Sequence, residues 1–143
     1  MTAPILTPGD VLRWEGFRKS DGEKAPKLFI IVGAHADKNY LGIRATKVQR
    51  ARTFQPEDGA DYYFIPGGQL EFFDLDTWVL FTEAQEFNRA GVEREFSKDE
   101  MQCIGSLRFQ VANEICNKMK RCEDVSERHK NLLGPALTGP KPA

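Results

Sequence analysis

The sequence predicts a mainly β chain with one C-terminal helix. It reads as an α+β domain in which five to six short strands form a small barrel or sandwich. Three observations lead there. Short apolar runs bounded by turn residues recur through the first ~85 residues. After them the period changes: Met101, Ile104, Leu107, Val111 and Ile115 recur at steps of three and four, one stripe on a helix. Ten phenylalanines, two tryptophans and three tyrosines provide large rings for the core of a 143-residue chain, a length that suits one domain.

The elements follow in order. Pro4 and Pro8 break regularity in a loose lead-in. GDVLRWEGF (9–17) alternates as a strand, and the polar RKSDGEKAPK (18–27) turns the chain, with Asp21-Gly22 suited to a hairpin connection. LFIIVG is too short for a stable helix and rich in β-branched residues, so it reads as a buried strand. AHADKN turns the chain into the next strand, YLGIRATKV. QRARTFQPEDGAD (49–61) is a polar excursion. YYFIP (62–66), QLEFF and LDTWVLFT (75–82) are the remaining strand candidates. Ser97 with Glu100 has the form of a capping box, which starts one long helix over about 97–122. The expected organisation is a single domain over 1–123 and a flexible proline- and glycine-rich tail over 124–143.

Composition narrows the function classes. A net charge of -1 points to no polyanionic partner in bulk, so any nucleic-acid site must come from local clustering. Cys103, Cys116 and Cys122 form no CxxC pair, and their odd number fits a reducing compartment. The start of the chain lacks a secretory pattern, and no apolar run reaches the ~18 residues a membrane helix needs. The expectation is a soluble, cytoplasmic protein with no membrane contact. Glu71, Asp74 and Asp76 match no metal-loop spacing, so neither a metal nor another cofactor is expected.

The chemistry-bearing stretch is RATKVQRAR. Arg44, Lys47, Arg50 and Arg52 stand there without an acid among them, and positive charge in such density attracts phosphates. In a strand, Arg44 and Thr46 point to one face, so a guanidinium fork and a hydroxyl can share a phosphate. The same charges also suit a solvated strand end that keeps a sheet edge from aggregating. Arg18, Lys19, Ser20, Lys24 and Lys27 surround the first loop, either as a basic arm over a bound strand or as an ordinary solvated hairpin. Phe17, Phe54 and Tyr40 are the rings on which unpaired bases would stack, or are core residues. His35 sits in a turn with no hydrolase motif around it.

The order of these pieces resembles the MazF/PemK family of toxin-type endoribonucleases. The residues that bear the likeness are GDVLRWEGF, APKLFIIVG, YLGIRATKV, LDTWVLF and GVEREFSKDEMQCIGSLRFQV, across about residues 9–115. The resemblance implies a small SH3-like β-barrel with a C-terminal helix, often a homodimer neutralised by an antitoxin protein. It also implies metal-independent cleavage of single-stranded RNA through attack by the ribose 2′-hydroxyl. Thr46 matches the family's threonine or serine. The family's arginine before the proline that opens the second strand is replaced by Ala25, flanked by Lys24 and Lys27. The implied catalytic set is therefore Thr46 with Arg44, Lys27 or Lys24, and Arg18, Ser20, Lys47, Arg50 and Arg52 would bind the RNA backbone. The alternative is a catalytically inactive barrel of the same kind that binds nucleic acid or protein.

Overall fold

Alternating apolar residues build the strands. β1 (Asp10–Trp14), β2 (Lys27–Gly33), β3 (Tyr40–Thr46), β4 (Tyr62–Ile65) and β5 (Thr77–Phe87) lie on the runs that alternation marks, and β5 extends well past Thr82. The structure is a computed structural model that describes residues 5–15, 26–46, 62–68, 73 and 75–134. Its strands, with β6 (Met101–Ser106), form one six-stranded sheet in the order β4-β5-β3-β2-β1-β6. Every adjacent pair is antiparallel.

Each face of the sheet has its own core. Val11, Ile30, Val32, Ile43, Val79 and Phe81 point to the face covered by α2 (Phe109–Arg121) and α3 (Glu127–Leu132). Ala112, Ile115, Cys116 and Met119 recur at three and four along α2, so one stripe of that helix meets the sheet. Leu12, Phe29, Ile31, Tyr40 and Phe87 fill the opposite face, joined by Val92 of α1 (Arg89–Ser97) and by Met101. Gly42 is glycine because Phe87 lies over it: a Cβ there would stand 2.6 Å from the ring.

Two expectations are corrected. The sheet is open, not a closed barrel: β4 and β6 stand at opposite ends of the strand order. The long helix over 97–122 does not form either. Ser97 ends α1, whose true N-cap is Asn88, with its side chain accepting from the Gly91 N–H. Asp99 then takes φ 58, and the chain reverses into β6, which pairs along β1. The supposed helical stripe is divided: Met101 joins one core, Leu107 the other, and Ile104 is exposed. Long-range pairing with β1 overrides the local period.

The segment after residue 123 contributes α3, capped by the Ser126 side chain, which accepts from the His129 N–H. Gly134 then bridges Gly33, where a Cβ would stand 2.1 Å from the Leu132 carbonyl oxygen. No helix among the described residues is long and apolar enough to cross a membrane.

Candidate functional site

Pairing between β2 and β3 sets Phe29 opposite Arg44 and Leu28 opposite Ala45. One more step of that register brings Lys27 opposite Thr46. Alternation then puts Lys27, Arg44 and Thr46 on the face away from α2, while Leu28 and Ala45 pack toward it. Arg13 of β1 lies opposite Leu28. At this end of the sheet a cleft of about 270 Å³ is lined by Arg13, Pro26, Lys27, Leu28, Arg44, Ala45 and Thr46. Arg13, opposite Leu28, projects to the α2 face, so its side chain and those of Lys27, Arg44 and Thr46 flank the cleft from opposite faces of the sheet. Lys24, Arg18, Ser20, Lys47, Arg50 and Arg52 lie outside the described residues, as do Phe17 and Phe54.

Arg44 is the unusual member. Its side chain is only 10% exposed, and Nη1 donates to Glu83 Oε1 at 2.8 Å. Its Nε is buried and has no acceptor among the described residues. An unpaired buried N–H costs about 1–3 kcal/mol, so such a group is a strained resource. The ion pair arises from an irregularity in β5. Ile43 pairs Ala84, yet the next residue, Arg44, pairs Leu80, so Phe81, Thr82 and Glu83 have no partner on β3. Irregularities of this kind re-aim side chains, and this one brings Glu83 to Arg44. Glu83 keeps a third of its side chain exposed, which leaves the carboxylate reachable from solvent.

Sequence reasoning named Arg44, Thr46 and Lys27 and missed Arg13 and Glu83. Arg13 was visible as the polar member of an alternating strand. Glu83 carried no local signal, since its partner is 39 residues away and the irregularity that joins them is tertiary. Arg13 is tempered by an ion pair with Glu15.

The other expected chemistry falls elsewhere. Tyr40 is buried beneath the Arg89 guanidinium, whose Cζ lies 4.1 Å from the ring centroid, so it offers no face to a base. His35 Nε2 is 2.9 Å from the Leu133 carbonyl oxygen and serves the docking of the C-terminal segment. Among the described residues no group of three His, Cys, Asp or Glu side chains is placed to hold a metal ion. Cys116 is buried, and burial pushes its thiol up to about 11, so it is a packing residue.

No protein-family model, curated protein or solved structure matches the chain.

Proposed function

We propose that this protein is a MazF/PemK-like, metal-independent endoribonuclease acting on single-stranded RNA in the cytoplasm, with the cleft at the ends of β1, β2 and β3 as its phosphate site. The observation that supports this is that Lys27, Arg44 and Thr46 share one face at one end of the sheet and border the cleft there. Clustered cations and a hydroxyl fit a phosphodiester, whose charge rises as the phosphorus becomes five-coordinate.

The roles follow from the side-chain chemistry. Thr46 donates its hydroxyl hydrogen to a non-bridging phosphate oxygen. Lys27 and Arg44 supply positive charge. We assign Glu83, held by Arg44, to take the proton from the ribose 2′-hydroxyl. The 2′-oxygen bonds to phosphorus, the bond from phosphorus to the 5′-oxygen breaks, and the Lys27 ammonium returns a proton to that leaving oxygen. The products are a 2′,3′-cyclic phosphate and a 5′-hydroxyl. The same proposal includes a neutralising antitoxin protein that occupies the cleft, and a homodimer.

A second reading has its own support. Ala25 stands where the family's arginine is expected, and the Arg44 guanidinium is already engaged by Glu83. On that reading the cleft binds RNA without cutting it. Mixed RNA incubated with the purified protein in EDTA separates the two. Cleavage leaving cyclic-phosphate ends, lowered about 10²-fold in Thr46→Ala, is the result expected of the enzyme. Binding without cleavage, weakening steeply with salt, is expected of the binding module. Absence of both overturns the phosphate cleft.

A further inference from the structure

The registers of five strands continue the Thr46 position across the sheet. Trp14 lies opposite Lys27, Lys27 is brought opposite Thr46 by the β2–β3 register, and Thr46 lies opposite Trp78. Phe64 lies opposite Trp78 in turn. Directly opposed residues in an antiparallel sheet project to the same face. One row therefore runs from Trp14 and the Lys27 ammonium through the Thr46 hydroxyl to the rings of Trp78 and Phe64.

The ring end of this row is open. Phe64 is 40% exposed on β4, the last strand of the sheet order, although its side chain has no polar atom to satisfy in water. Its ring centroid is 5.2 Å from that of Trp78, at an interplanar angle of 48°, so Trp78 supports it from the inner side. One pleat inward on the same face, Tyr62 and Leu80 are buried, which seats β4 firmly under the pair. Strand spacing sets Phe64 about 10 Å from Thr46. That is the scale on which a nucleotide's phosphate and a neighbouring base are separated.

On the premise of the RNA reading above, we infer that Phe64, backed by Trp78, is a stacking platform for an unpaired base of RNA whose phosphate lies at Thr46 and Lys27. Bases stack on exposed aromatic rings with little sequence preference, and such platforms lie beside cationic tracks in single-strand binders. The neighbouring cations favour this occupant over an apolar protein surface, which would gain nothing from them. The platform binds one base without choosing among the four, because every base offers a π-face.

The test uses the full chain and two fluorescent eight-nucleotide probes with 2′-O-methyl riboses, which block cleavage. One probe carries bases, and the other has the same backbone with abasic sugars. Wild-type protein is expected to bind the base-bearing probe at least about fivefold more tightly. Phe64→Ala is expected to erase that difference while leaving abasic binding unchanged, and Phe64→Tyr to retain it. Tryptophan emission of the wild type is expected to fall with the base-bearing probe only, a readout independent of how any variant folds. Lys27→Gln is expected to weaken both probes alike, which reports on the phosphate site separately. Equal binding of both probes by wild type and Phe64→Ala overturns the platform and leaves the cleft standing. Failure of both probes to bind overturns platform and cleft together. A Phe64-dependent dimer whose assembly RNA does not alter overturns the platform in favour of a protein interface.

Discussion

Two arginines in this molecule meet opposite fates. Arg89, at the start of α1, donates Nε to the Lys38 carbonyl, Nη1 to the Tyr40 hydroxyl and Nη2 to the His35 carbonyl, with its plane over the Tyr40 ring. Each edge of its guanidinium is used, and the result is a clamp joining α1 to the β2–β3 turn. Arg44, in the cleft, gives one N–H to Glu83 and keeps a buried Nε without an acceptor among the described residues. A satisfied arginine holds a fold together. Arg44 instead borders a cleft beside a lysine and a threonine, with a buried donor that no described residue accepts. Burial alone does not separate the two; the hydrogen-bond inventory does.

The comparison can be broken by exchanging each arginine for methionine, which keeps much of the stem and removes the fork. Arg44→Met is expected to lower RNA cleavage by about 10²-fold, the loss of one donor to a developing charge. Its unfolding free energy is expected to change by less than about 1 kcal/mol, because the unsatisfied N–H leaves together with the ion pair. Arg89→Met is expected to do the reverse. Three acceptors lose their donor at roughly 1 kcal/mol each, so urea unfolding should show a loss of about 2–3 kcal/mol. Cleavage measured where the variant is still folded should be unchanged. An Arg89→Met variant that folds well but fails to cut would erase the distinction.

Carboxylates sharpen the same contrast on a smaller scale. Glu86 accepts two hydrogen bonds from Arg128 and one from Asn39 Nδ2. Those bonds, Arg128 first, hold its carboxyl down at about 2, against an ordinary 4.5. A carboxyl depressed in the folded state stabilises fully above the unfolded value, and the contribution is lost as pH falls from about 4.5 to about 2. Carbon NMR of the side-chain carboxyl should show a midpoint near 2 that rises in Arg128→Gln, with a smaller loss of stability across that window. The smallest effect is at the thiols. Cys103 is exposed and Cys116 buried. A disulfide reagent at pH 8 should therefore label Cys103 and spare Cys116 in the native protein, with both reacting in urea.

Much of this was legible before the structure, for reasons that differ by element. Short apolar runs such as LFIIV and YLGI are nearly continuous because they pack on both faces of a central strand, so β2 and β3 announce themselves. β6 did not, because MQCIGSL spaces Met101, Ile104 and Leu107 as a helix would, and only its pairing with β1 distinguishes the two. α1 was hidden because its cap is an asparagine, Asn88, inside a polar stretch, and its buried face is little more than Val92. In the cleft, the joint orientation of Arg44 and Thr46 followed from period two, and the approach of Lys27 from the register. Glu83 and the Phe64–Trp78 pair were out of reach, since each depends on which strands lie side by side. Tyr40 was open between a stacking ring and a core residue, and it is a core residue; the arginine that covers it is 49 residues away.

On the proposed function, the Arg44 guanidinium beside the cleft, and not the Arg89 guanidinium on α1, receives phosphate. Nitrogen–proton NMR of the arginine Nε–H groups, during titration with an uncleavable single-stranded oligoribonucleotide, tests it directly. A saturable shift of the Arg44 resonance, abolished in Thr46→Ala or reduced by salt, is expected, with the Arg89 resonance still. A bound oligonucleotide that moves Arg89 and leaves Arg44 unchanged would contradict it.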